Sequence, residues 1–403
     1  MAIDETFAFD PMDASKAKSW DFIRSIRQAR SVCRPAEGLL FTARYEETAS
    51  AFRNARSFSS AGDMRAPGVV VPDDERFLGE LDAPLHPRIR RILLRGFTPA
   101  AALAAEGWTR NSVASRLQAI ARGGGGDLMD SLAIPLPGSV AAYALGIPDE
   151  MHEQVMQWCN DLLHSTWPTT GQTERGVGIE AGFPELSAAI DDQIRLRKEA
   201  GADQMDDLLA VMVHTTAPDG WRIPEAHIRT LAINILAGSL SASYMIGNLL
   251  FRYLSEPDGF ARTVQADRAK IPLAVEESLR LEPPVLFMFR HATEDTELGG
   301  CPIAAGDHLM LSIASANRDE RPYPDAEEFR LDRGDGPEHL AFGAGPHLCL
   351  GNHITRMAGR VVLEEMVERF PPGSIRLAPD FDWVCVDHML EYGPEHLQVV
   401  VGD

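Results

Sequence analysis

One short run of residues concentrates the chemistry of this chain: Phe342-Gly343-Ala344-Gly345-Pro346-His347-Leu348-Cys349-Leu350-Gly351, followed by the amphipathic spacing of Ile354, Met357, Val361 and Leu363. The glycines allow a tight turn and close approach by a flat ligand. A cysteine at the point where a helix begins meets the positive end of the helix dipole and free N–H donors, which together stabilise a thiolate. Such a thiolate can bind a soft metal through one axial position. Set against this is the plain alternative of a buried, inert cysteine beside a glycine-rich turn. Two further pairs stand out. Glu277 and Arg280, three apart, share a helix face just before the helix-stopping Pro283 and Pro284. His86 and Arg90, four apart, place two donors side by side in a way that suits a carboxylate.

The elements that must position these residues are mainly helical. Apolar positions repeat at three and four over Ala14 to Ser31, Ala100 to Ala121, Ala188 to Glu199, Leu273 to Leu281 and Ile354 to Phe370. Strand signals are fewer: Gly38 to Ala43, Leu286 to Leu298, His308 to Ser315 and Leu397 to Val401. This order predicts a mainly α fold with small β-sheets, of α+β class. The glycine run 123–126 reads as an ordinary helix connection. Thr230 to Phe251 carries no charge and is long enough to cross a bilayer, but Asn234, Ser239, Ser241, Ser243, Tyr244 and Asn248 would face lipid there. A buried central helix is expected instead.

Composition narrows the function. The 403 residues hold 59 acids against 38 Lys and Arg, a net charge of −21, which repels phosphate backbones and anionic lipid; nucleic-acid and membrane partners are not expected. Five scattered cysteines make neither a disulfide framework nor a zinc spacing, and the first twenty residues contain no apolar leader, so a cytoplasmic protein is expected.

The pattern Phe-Gly-x-Gly-x-His-x-Cys-x-Gly resembles the signature of the cytochrome P450 superfamily, and every fixed position is matched from Phe342 to Gly351. Glu277 and Arg280 are similar to that family's Glu-x-x-Arg pair, with Arg333 as the third member of its network, and His86 and Arg90 to its propionate-binding pair, joined by Arg290. The resemblance spans essentially the whole chain, so residues 1–403 are expected to form one large domain of the soluble bacterial type. It implies haem b, iron protoporphyrin IX, with Cys349 as the axial iron ligand and His86, Arg90, Arg290, Phe342, His347 and Gly351 around it. It also implies a monooxygenase that oxidises a small hydrophobic substrate with O2, drawing electrons from an external ferredoxin or flavodoxin and its reductase.

The chain departs from the family on the central helix, where an acid and an alcohol usually relay protons. Here the residues are Gly238, Ser239, Leu240 and Ser241. Gly238 and Ser241 are the catalytic candidates, and Leu240 carries no proton. A peroxide-using haem-thiolate enzyme is therefore one alternative, and a haem-binding sensor without turnover another. Ile233, Ala237, Val285, Leu286 and Met288 are expected to line the substrate pocket, with Met389 a further candidate. The acid-free stretches Ala83 to Ala105 and Ala341 to Leu363 suggest a positive patch for an acidic redox partner, centred on Arg88 and Arg91.

Overall fold

The computed structural model describes residues 3–10, 13–62, 72–166, 179, 182–202, 207–334, 336–371 and 373–402. Helices carry most of the chain, as their periodicity predicts. Pro99–Arg122 lies against Asn352–Arg369, and both bury their apolar stripes in one core, Val113, Leu117 and Ile120 from the first and Val361, Val362 and Met366 from the second. The expected helix over Ala14 to Ser31 is interrupted: Ser19 accepts the Phe22 N–H and caps a separate helix, Trp20–Ala29.

The sheets are small. A five-stranded sheet runs Val32–Ala36, Leu39–Thr42, His308–Ser312, Phe287–Ala292 and Phe58–Ser59, with Leu39 to Thr42 parallel to His308 to Leu311 and the other pairings antiparallel. The stretch expected as one strand from Leu286 to Leu298 is two, because its second part, Thr296–Leu298, turns into a separate hairpin with Cys301–Ile303. Likewise the strand beginning at His308 stops at Ser312, whose hydroxyl accepts the Ser315 N–H and starts the one-turn helix Ile313–Ala316. The glycine run is more than a connection. Gly125–Asp127 is a strand beside Gln398–Val401, and a Cβ on Gly125, at φ 137°, would lie 2.2 Å from the Val399 carbonyl oxygen.

The central helix is Glu225–Gly238 followed by Ser241–Ser255. At the junction the N–H groups of Ser239, Leu240, Ala242 and Ser243 donate to carbonyls three residues back rather than four. The Ser239 hydroxyl competes for one of these, donating to Leu236 O at 2.6 Å. The pair is long and apolar enough to cross a membrane, and 61% of its most apolar window is buried within the fold.

A buried charge network ties the helix Ile271–Leu281 to the irregular chain that precedes the cysteine. Glu277 and Arg280 are 4% and 2% exposed. Arg280 donates to both Glu277 oxygens at 2.8 Å and to the carbonyls of Asn317, Ala326 and Glu328. Arg333 donates to Glu277 Oε1 at 2.6 Å and to the carbonyls of Pro324 and Asp325, while the Arg330 N–H reaches the same oxygen at 2.8 Å. Glu277→Gln leaves two guanidinium groups without a counter-charge. It is expected to lower the unfolding free energy by about 3–5 kcal/mol, measured as the loss in urea midpoint at unchanged slope.

Candidate active site

The cysteine loop is held open by geometry that its glycines permit. At Gly345 φ is +70°, and a Cβ would lie 2.7 Å from Phe52 O and 2.8 Å from the Arg53 Cα, so the loop passes directly over the backbone of the helix Tyr45–Arg53. The Cys349 N–H donates to Phe342 O at 2.9 Å, closing the loop. Its sulfur sits where the helix Asn352–Arg369 begins and receives the backbone N–H groups of Gly351 and Asn352. Burial pushes the thiol pKa up, and those two donors, Arg90 and Arg356 act against that shift. A soft cation at the sulfur would complete the ionisation, since a bound metal displaces the thiol proton. Phe342 lies beside the loop under the Arg356 guanidinium, 4.5 Å from its ring centroid.

Cys349 opens into a cavity of about 1090 Å³, its mouth included. The thiol has accessible surface on the cavity side although protein encloses it deeply. Apolar groups dominate the wall, among them Leu78, Phe97, Val140, Ile235 and Ile354, and among the described residues no Asp or Glu belongs to it.

At the rim near Cys349 four basic side chains from three segments converge. His86 and Arg90 come from the helix Leu85–Leu93, His347 from the cysteine loop and Arg290 from the strand Phe287–Ala292. The His86 and His347 rings stack with centroids 4.0 Å apart. Burial first, then the Arg90 charge, holds His86 down at about 4. Burial, His86, Arg290 and Arg90 hold His347 at about 3. Burial also lowers the pKa of Arg90, which donates to Leu348 O at 2.5 Å. Arg290 donates to Phe289 O at 2.6 Å and covers the Phe52 ring. Among the described residues Asp82 is an acid acting on His86, and it is bonded by Ser59 and Ser60. His86 Nε2 is buried without a hydrogen-bond partner among the described residues. A flat ligand bearing carboxylates at this edge and a soft metal at the sulfur matches this set of donors, so the residues present fit haem.

Other expectations meet a different arrangement. On the central helix the wall is formed by Asn234, Ile235, Gly238, Ser239 and Ala242. Ile233 and Ala237 project from the opposite side of the helix into the core, 0% and 2% exposed, so helical phase removes them from the pocket. Ser241 is outside the wall too, and its hydroxyl bonds back to Gly238 O at 3.3 Å; the serine that faces the cavity is Ser239. Val285, Leu286 and Met288 are also absent from the wall. Leu286 packs with Phe41 and Phe287, and Val285 and Met288 pack against the core around Leu40 and Leu311, because the strand they lead into is spent on sheet packing. Met389 packs with that same core as Leu286. The expected positive patch is largely neutralised by acids distant in sequence. Arg88 pairs with Asp219 and covers the Trp221 ring, Arg356 pairs with Glu276, and Arg360 with Glu106 and Glu364, while Arg91 remains exposed. The wall residues Asn234 and Ser239 carried a signal in the sequence, as polar interruptions of an uncharged helix, but their facing could not be read there.

The Cytochrome P450 family model matches residues 259–374, which contain both the Glu277 network and the Cys349 loop. The chain is 30% identical over 369 residues to the 6-deoxyerythronolide B hydroxylase of Saccharopolyspora erythraea, covering 88% of each. It is 30% identical over 360 residues to a Steroid C26-monooxygenase of Mycobacterium tuberculosis, covering 89% of this chain and 87% of that protein. The chain belongs to the cytochrome P450 family. A solved P450 structure, a mutant of EryK in complex with erythromycin B, superposes with a TM-score of 0.84 at 28% identity, over 97% of this chain and 98% of that one. The protein is therefore a P450 monooxygenase with the mainly helical P450 fold.

The rim histidines of this P450 give the haem-free protein a specific pH response. His86 has a folded pKa near 4, below its ordinary value of 6.5, so between the two the unfolded chain binds more protons. Stability is then full above the upper value and falls as pH drops through this window. His86→Gln is expected to shrink the loss in urea midpoint between about pH 7 and about pH 5, compared with the unsubstituted haem-free protein.

Proposed function

We propose that this P450 holds haem b with Cys349 as the axial iron ligand, and that His86, Arg90, Arg290 and His347 hold its propionates. The observation that carries this reading is the thiol of Cys349 opening into an apolar cavity whose rim is basic and whose wall has no carboxylate among the described residues. Bound there, haem supplies the activation of dioxygen that no side chain can provide. Cys349 donates electron density as thiolate, Arg90 and His86 neutralise and orient, and the apolar wall excludes water. Gly238 leaves room beside the loosened turn of the central helix, since a Cβ there would meet nothing within 4 Å.

The substrate is a mainly hydrophobic molecule of macrolide or steroid class, in keeping with the apolar cavity wall and with the activities named for the relatives above. We take residues 1–403 to form a single haem domain in the cytoplasm, reduced by a separate ferredoxin or flavodoxin with its reductase. Arg91, exposed and without an acid partner among the described residues, is the cation left to meet that partner on its helix. The lack of an acid among the described wall residues also supports a second reading, in which peroxide supplies both oxygen and protons, because Leu240 offers none.

Turnover of macrolide and steroid panels under labelled dioxygen separates the two. Label in the product with ferredoxin and reductase, weakened by Arg91→Glu, supports the monooxygenase reading. Product formed only with peroxide supports the second, and product from neither route contradicts both.

A further inference from the structure

Asn234 lies one turn before Gly238 on the central helix, about 6 Å along its axis. It is the amide in a stretch of cavity wall otherwise made by Leu78, Phe97, Val140, Ala141 and Ile235. Its orientation is fixed. Oδ1 accepts the Leu78 N–H at 3.2 Å, and since only the oxygen can accept, the amide cannot be flipped. The same helix face grips the neighbouring chain twice more: Thr230 Oγ1 donates to Asp74 O at 2.8 Å, and His227 Nε2 lies 3.3 Å from Arg76 O. The amide is therefore anchored at both the helix and the cavity roof.

With Oδ1 engaged, the two N–H groups of Nδ2 have no partner among the described residues. The other polar side chain on this helix wall, Ser239, has turned its own proton toward Leu236 O. A wholly hydrocarbon ligand filling the cavity would strip water from Nδ2 and return nothing, which is costly for a buried donor. We infer that Asn234 selects substrates carrying an oxygen acceptor, a ketone, ester carbonyl or ring hydroxyl, placed about one helix turn from the oxidised carbon, with Nδ2 donating to it. This inference rests on the hydrophobic-substrate reading above and sharpens its substrate class to oxygenated aliphatic rings.

The test is spectral titration of the haem-loaded protein with cyclooctanone, cyclododecanone and cyclopentadecanone, each against its parent cycloalkane. Asn234→Asp retains an oxygen for the Leu78 N–H and, in mildly alkaline buffer, has no donor; Asn234→Leu lacks both. At least one ketone is expected to bind the unsubstituted enzyme about three- to tenfold more tightly than its parent. That ratio should fall to near one or below in both variants, with the affinity of Asn234→Leu for the cycloalkane retained. Equal binding of every pair in the unsubstituted enzyme, or a ketone preference that survives in Asn234→Asp, overturns the inference. Failure of all six ligands to shift the spectrum would instead overturn the hydrophobic-substrate reading, and this inference with it.

Discussion

The carboxylate of Glu277 holds the site together. One buried anion is shared by Arg280, Arg333 and the Arg330 N–H, and the two guanidinium groups go on to bind the carbonyls of Asn317, Pro324, Asp325, Ala326 and Glu328. A segment with almost no regular structure is thereby fixed against a rigid helix. Asn317 in turn accepts the Leu340 N–H at 2.7 Å, which places the start of the cysteine loop. Buried ion pairs add little net stability over an apolar packing of equal shape. What this one supplies is position, carried from Ile271–Leu281 through the irregular chain to Cys349.

The second constraint is electrostatic. In a chain with a net charge of −21, acids meet most arginines, as Glu276, Glu106 and Asp219 show. At the cavity rim His86 and His347 are kept neutral by burial and by their own neighbours, and Arg90 donates to the Leu348 carbonyl. Such a rim favours a ligand that brings its own carboxylates. The same economy of charge explains why an acid-free stretch of sequence is a poor guide to a positive surface.

The sequence made legible whatever depends on local spacing. Cys349 and its glycines, Glu277 with Arg280, and His86 with Arg90 all lie within a turn or a loop, and the structure places each set as its spacing suggests. Arg333 and Arg290, from distant segments, were legible through family resemblance alone. Facing was harder. On the central helix one residue separates Ala237 in the core from Gly238 in the wall, and two separate Ser241 from Ser239, so small errors in phase decide the facing, and the loosened turn between the two halves makes extrapolation from one half to the other unsafe. On the strand after Pro284, alternation says that some side chains point inward but not whether inward means cavity or sheet core. Arg88 was misread for a tertiary reason, since Asp219 arrives from a segment far away in sequence.

The central claim is that the Cys349 sulfur binds iron from the floor of this cavity. The most direct measurement is the reduced carbon monoxide difference spectrum of the haem-loaded protein, taken beside that of Cys349→Ser. The account predicts the long-wavelength band of thiolate ligation in the first and its loss in the second, with folding and the buried Glu277 network intact in both. The same band in Cys349→Ser, or its absence from the unsubstituted protein with haem fully bound, would contradict it.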